Sequence, residues 1–291
     1  MSTVVEVVDR MPATSTLSEG GDEKPKKRKD KDEIKKEKWF CGCCKCASYE
    51  SEEAYLYAFD FDHTIVDQNS DTAVMEVIHD PVPSNLTRLF DGTNWEEYME
   101  GVFKFVAEEG GTYEIIADKI RQLQATEGIP HLLHKIVMAR RSLHHGSKLI
   151  IVSDANSFFI DTFLSNLKPP VTPDLVITNQ ADKTEEGFLK LTPFETQTEC
   201  TFCPRNLCKG TALLKYIGKK GPFQRVYYTG DGGNDICPAT KLTEMDVVFV
   251  RKNFAMDKIL KHGSWKGQQL NIKAKIVFWE VGKEIEREMI F

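Results

Sequence analysis

Acids, a serine and a lysine sit at or near the ends of apolar runs in this 291-residue chain. FDFDHT at 59–64 places Asp60 and Asp62 two residues apart behind the run AYLYAF. KLIIVSD at 148–154 ends in Ser153 and Asp154. Lys209 follows the segment CTFCPRNLC, and RVYYTGDGGND at 225–235 carries Asp231 and Asp235. Ligands of open α/β sheets gather beyond the carboxyl ends of the strands, so such acids converge on one crevice. Each acid alone reads equally well as an N-cap for a following helix. Five of them together would repel strongly. One like-charge pair at about 4 Å costs roughly 4 kcal/mol at an effective dielectric of 20, and a few such pairs would cancel most of a domain's stability. A divalent cation relieves this, and donors that are all oxygen point to Mg²⁺.

The elements that must position these residues are legible as short apolar runs at 54–60, 148–154, 174–179, 225–231, 246–250 and 275–279, rich in Val, Ile, Tyr and Phe. Runs of that kind suit buried parallel strands. Amphipathic stretches such as 158–167 and 210–218 alternate with them, which predicts an α/β fold with a doubly wound, mostly parallel sheet. Between the first two runs lie 95–109, 113–124 and 130–143, all of helical period. A βα crossover is far shorter than this, so a helical cap subdomain is expected at about 67–146, inserted in a domain spanning 51–291.

Residues 1–50 differ. Within 24–38 there are nine basic and four acidic side chains and one apolar residue, Ile34. Such a segment cannot bury enough apolar surface to offset its ordering entropy and is expected to be a disordered, cysteine-containing tail. The chain's net charge of -6 argues against nucleic acid as partner of the folded part. The absence of a long apolar run or secretory signal leads to the expectation of a cytoplasmic protein without a membrane span. Its eight cysteines then read as thiols or metal ligands rather than disulfides.

FDFDHT resembles the DxDx(T/V) motif of phosphatases of the haloacid dehalogenase superfamily, which have a Rossmann-type fold. LIIVSD is similar to the second superfamily motif, Lys209 stands where the third motif's lysine belongs, and GDGGND (230–235) resembles the fourth. FDFDHTIVDQNSD, VSDANS, CTFCPRNLCKG and GDGGNDICP look more narrowly like the branch that contains phosphoethanolamine/phosphocholine phosphatases and pyridoxal-phosphate phosphatase-like proteins. The resemblance implies that Asp60 attacks phosphorus to form an aspartyl-phosphate, and that Asp62 serves as general acid and base. It also implies Mg²⁺ on Asp60, the main-chain carbonyl of Asp62, and Asp231, with Asp235 behind them. Ser153 and Lys209 would meet the phosphoryl oxygens, and Asp71 and Asp154 the substrate's cationic group. A carboxylate is the natural partner of an ammonium. Asp71 reads equally as a helix cap, Asp67 is a weaker candidate for the cation, and Trp95 and Tyr98 read as core first and as a choline contact second. Regular strand alternation also sends Phe61 into the core.

The expected substrate is a small phosphorylated metabolite, phosphoethanolamine or phosphocholine, with pyridoxal phosphate as the alternative. A phosphotransferase on the same fold and a catalytically silent scaffold that uses the basic tail are the other readings. Cys200, Cys203 and Cys208 supply half of a zinc site without a clear second pair, Cys237 being the available fourth ligand, and buried thiols are the plainer reading. CGCCKC (41–46) resembles a palmitoylation site that would anchor the tail to lipid, and PKKRK (25–29) a nuclear-localisation signal. A solvated charge run is the plainer reading of both. Oligomeric state is not readable from these features.

Overall fold

A computed structural model describes residues 54–78, 81–88, 95–142 and 146–291. The expectations for the tail at 1–50 lie outside the described residues. Strand β1 (Tyr55–Phe59) leads into α1 (Ser70–Val74), α2 (Ser84–Thr87), α3 (Trp95–Glu108), α4 (Tyr113–Arg121) and α5 (Ile129–Ser142) before β2 (Lys148–Asn156). Then come α6 (Ser157–Asn166), β3 (Leu175–Lys183), β4 (Leu189–Thr192), α7 (Lys209–Lys220), β5 (Arg225–Gly230), α8 (Ile236–Lys241) and β6 (Val247–Arg251). The chain ends with α9 (Ala255–His262), the small hairpin β7 (Ser264–Trp265) and β8 (Gln268–Gln269), β9 (Lys275–Trp279) and α10 (Gly282–Glu286).

Seven strands form one sheet in the order β4-β3-β2-β1-β5-β6-β9, parallel except for β4, which runs against β3. The chain leaves β1 toward β2 on one side and returns to β5 on the other, so β1 and β5 flank the point where the winding reverses. That is where an open α/β sheet leaves a crevice. Alternation along β1 shows why both faces are covered. Tyr55, Tyr57 and Phe59 join one apolar cluster with α3, α4, α5 and α6, while Leu56 and Ala58 join another with α7 and α8. A strand buried on both faces needs apolar residues at every position, and β1 is buried throughout.

One expectation about an element end is corrected, and one strand is new. β2 does not stop at Asp154 but continues to Asn156 through an irregular register between Val152 and Asn156. β4 was not anticipated; its alternating LKLT, buried at every second residue, is too short and too polar to stand out in sequence. No helix among the described residues is long and apolar enough to cross a membrane.

Candidate active site

β1 delivers Asp60 to the crevice floor, where it is buried. Its backbone N–H still pairs with Thr229 O of β5 at 2.9 Å, so the strand registry fixes the residue. Beyond it the chain coils at once: the N–H groups of Thr64, Ile65 and Val66 all donate to Phe61 O. Phe61 turns into the core as strand alternation predicts, with its ring 5.7 Å edge-on from Phe163. Asp62 is half-buried, and its Oδ1 accepts the backbone N–H of Ser70, the first residue of α1, at 2.9 Å.

Lys209 opens α7 and is completely buried. Its Nζ lies 2.7 Å from Asp60 Oδ2 and 2.9 Å from Asp235 Oδ1. Burial works against the charge on Lys209, but Asp235, Asp60 and Asp154 outweigh it and hold the lysine protonated. Asp235 is saturated with donors. Its Oδ1 also accepts Tyr228 Oη at 2.6 Å, and its Oδ2 accepts the N–H groups of Asp231 at 3.0 Å and Gly232 at 2.8 Å. It therefore shapes the turn that carries Asp231 and has little capacity left to ligate. Asp231 has fewer partners: Thr64 Oγ1 donates to its Oδ1 at 3.4 Å.

Carboxylate oxygens of Asp60, Asp231 and Asp235 lie within 4.8 Å of one another. Lys209 supplies one positive charge against them. Burial pushes Asp60 well above the usual carboxylate range against the pull of Lys209, and Asp235 and Asp231 add to the push. Burial, with Asp235 next, pushes Asp231 up to about 7. The crevice thus lacks positive charge. Hard oxygen donors this close together fit a small divalent cation, with Asp60 and Asp231 as the carboxylates that have room for it.

Ser153 is buried, and its Oγ accepts the N–H of Ala155 at 3.3 Å. The side chain of Asn234 donates to Asp154 Oδ2, while the buried Asp154 Oδ1 has no hydrogen-bond partner. Burial raises Asp154 to about 6. Asp71 does not cap α1; Asn69 does, accepting from Thr72 N, and Asp71 Oδ2 instead accepts Trp95 Nε1 at 2.9 Å. Burial and then the charge of Asp62 push Asp71 up to about 8. Asp154 does not cap α6, which Asn156 does; Asp235 is the N-cap residue of α8 without a side-chain bond to it, its carboxylate instead accepting the Gly232 N–H at the start of the short 3-10 turn. Asp67 is drawn away to the rim, where it pairs with Arg251.

Four participants were not singled out from sequence. Thr64, Tyr228 and Asn234 contact the acids directly. Arg251, at the end of β6, donates to His63 O at 2.5 Å as well as to Asp67, which pins the turn after Asp62. An arginine closing the apolar run VVFVR, at the same sheet end as the acids, was the available signal.

Residues 55–291 match the family model described as Putative Phosphatase. The chain is 36% identical over 241 residues to the pyridoxal phosphate phosphatase PHOSPHO2 of Rattus norvegicus, covering 81% of this chain and 97% of the relative. It is 29% identical over 236 residues to the phosphoethanolamine/phosphocholine phosphatase of Homo sapiens, covering 79% and 86%. Among solved structures, a phosphoserine phosphohydrolase-like protein of Francisella tularensis aligns at 16% identity and a TM-score of 0.49, covering 82% of this chain and 100% of that one.

Proposed function

The chain belongs to this phosphatase family, within the haloacid dehalogenase superfamily, and on that premise we propose that it hydrolyses small phosphomonoesters bearing a cationic head group, phosphoethanolamine or phosphocholine, through an aspartyl-phosphate on Asp60. The observation that carries the substrate class is the buried, unpartnered Oδ1 of Asp154. A buried acceptor left unpaired is costly; the N–H of a primary ammonium would pair with it, and a quaternary ammonium would meet its charge. Asp71 stands ready as a second carboxylate, oriented by Trp95.

Hydrolysis of a phosphomonoester needs roughly 20 kcal/mol or more of barrier lowering, and a covalent intermediate divides that barrier in two. A carboxylate oxygen of Asp60 attacks phosphorus as the ester P–O bond breaks, and Asp62 gives its proton to the departing alcohol oxygen. Water then attacks the phosphorus of the aspartyl-phosphate, Asp62 takes its proton, and inorganic phosphate and the Asp60 carboxylate are released. Burial raises Asp62 above the usual carboxylate range against the hydrogen bonds from Ser70, in line with an acid that starts protonated. Lys209 neutralises charge on the phosphoryl group while it holds Asp60, and Ser153 Oγ donates to a phosphoryl oxygen. Asp60 and Asp231, with the main-chain carbonyl of Asp62, would hold a Mg²⁺ ion, which would supply charge stabilisation for the phosphoryl transfer.

Pyridoxal phosphate is the second reading, favoured by the 36% identity to a phosphatase named for it. Trp95, partly buried and bonded to Asp71, offers aromatic surface to its ring, whereas Tyr98 behind it belongs to the buried core. The purified protein should be compared on phosphoethanolamine, phosphocholine, pyridoxal phosphate and glycerol phosphate, as wild type and as Asp154→Asn. Under the main reading, the substitution raises KM about tenfold or more for the two amine substrates, a loss of about one charge-assisted contact, and leaves glycerol phosphate unchanged. Uniformly low turnover on all four, or an equal KM change on all, contradicts the cationic subsite.

A further inference from the structure

We propose that Cys200, Cys203, Cys208 and Cys237 bind one zinc ion as a tetrathiolate, and that the ion fastens the segment bearing Lys209 to the segment bearing Asp235. The four Sγ atoms lie within 4.8 Å of one another. Cys200 and Cys208 Sγ stand 3.6 and 3.7 Å from Cys237 Sγ. A tetrahedron with Zn–S bonds of about 2.3 Å has edges of roughly 3.8 Å. All four are free cysteines, and Cys203, Cys208 and Cys237 are buried.

The chain around them is shaped to converge the sulfurs. Residues 193–208 contain no helix or strand, yet hydrogen bonds of Asn179, Glu195 and Gln197 hold them in shape, and Gln197 staples the part that carries Cys200 and Cys203. Gln197 accepts the N–H of Cys200 at 2.8 Å and donates to Pro204 O at 2.6 Å, with Cys200 O and Cys203 O also in reach. The stapled loop presents Cys200 and Cys203 with the short spacing of a zinc half-site. Cys208 is the N-cap of α7 and makes no side-chain capping bond to it. Its sulfur sits in the first turn of this twelve-residue helix, 3.1 Å from Thr211 Oγ1. Cys237 comes from α8. Gly210 lets the two helices close on the cluster: a Cβ there would lie 2.6 Å from Cys237 Sγ.

Soft thiolates select zinc and reject magnesium, as the hard carboxylates of the crevice do the reverse. With four protein ligands the site is closed, so its role is structural. Its position gives that role a consequence. Cys208 directly precedes Lys209, Cys237 lies two residues past Asp235, and Cys203 Sγ stands 3.7 Å from Asn234 O. The ion would join three chain segments whose neighbours are Lys209, Asp235 and Asn234, the last of which holds Asp154.

The test uses the tag-free full chain carrying Cys41→Ser, Cys43→Ser, Cys44→Ser and Cys46→Ser, produced in zinc-supplemented medium, so that thiolate-bound metal reports the described cluster. Elemental analysis should find one zinc per chain, and cobalt exchange should give the thiolate charge-transfer and intense visible bands of a tetrahedral site. Adding Cys203→Ser and Cys237→Ser should lower zinc at least fivefold. Adding Asp60→Asn should leave it at one, which separates this inference from the phosphatase mechanism. If the double cysteine variant fails to fold, the zinc content and cobalt spectrum of the parent decide. Four metal-free thiols in the native parent, or a Cys200–Cys237 disulfide, would overturn the proposal.

Discussion

The ammonium of Lys209, with none of its surface exposed, lies 2.7 Å from Asp60 Oδ2. A buried lysine is tolerable only when its charge is matched, and here two carboxylates match it. The pair orients the proposed nucleophile and keeps a positive charge where phosphoryl oxygens would arrive. Lys209→Met keeps the length and removes the charge. Phosphate release should fall about 100- to 1,000-fold, as for loss of one preorganised charge stabiliser. The urea midpoint should fall by the equivalent of about 3–5 kcal/mol, because Asp60 and Asp235 are left buried without their partner. Unchanged turnover would remove Lys209 from the mechanism.

Gly230, the last residue of β5, tests the turn that carries Asp231. An added Cβ would stand 2.4 Å from Asp235 Cγ. That carboxylate cannot retreat without losing the N–H groups of Asp231 and Gly232, the Tyr228 hydroxyl and Lys209. Gly230→Ala should cost about 1–3 kcal/mol by overpacking and should raise the Mg²⁺ concentration needed for half-maximal activity. Denaturant titration and a metal-activation curve measure both. A variant with unaltered midpoint and metal requirement would mean that Asp235 does not hold the site in shape.

The sequence carried much of this architecture for a physical reason. Strands covered on both faces stand out as apolar runs: β1 is apolar at every position, and β6 is so up to its closing Arg251. β4 lies at the sheet edge with one polar face, and its four residues resemble a loop. Within the site, Asp60, Asp62, Asp231 and Lys209 were legible because each belongs to a spaced motif. The work of Asp235 as a four-donor anchor was not, since it depends on backbone N–H directions that no spacing encodes. The link of Asp67 to Arg251, and the meeting of Cys237 with cysteines some thirty residues earlier, arise from sheet topology alone.

Stability of the metal-free protein should decline as pH rises. Asp71 is raised to about 8 by burial, then by Asp62, with Asp154 adding and the Trp95 hydrogen bond opposing. Asp154 is raised to about 6 by burial, with Asp235 and Asp62 adding and Lys209 and Asn234 opposing. Unfolded aspartate titrates near 4, so between about pH 4 and 8 the folded chain holds more protons than the unfolded one. The stability these protons confer is full below about pH 4 and is lost as pH climbs through 6 and then 8, by about 1.4 kcal/mol per unit for each group titrating. Carboxylates with lowered values, Asp257, Glu284 and Glu286, finish titrating below this range and do not offset it. Melting temperature in EDTA should therefore fall from pH 6 to pH 8. Saturating phosphocholine should flatten the slope, because its cation favours the ionised acids. A melting temperature that rises across this range contradicts the buried-acid picture.

The proposed covalent step can be read directly by rapid acid quench of the protein during turnover of phosphoethanolamine with Mg²⁺, followed by peptide mass spectrometry. One phosphoryl group is expected on the peptide containing Asp60, absent in EDTA and absent in Asp60→Asn, whose phosphate release should be lost with it. A phosphoryl group on another residue, or full turnover by Asp60→Asn, would contradict the assignment of Asp60 as nucleophile.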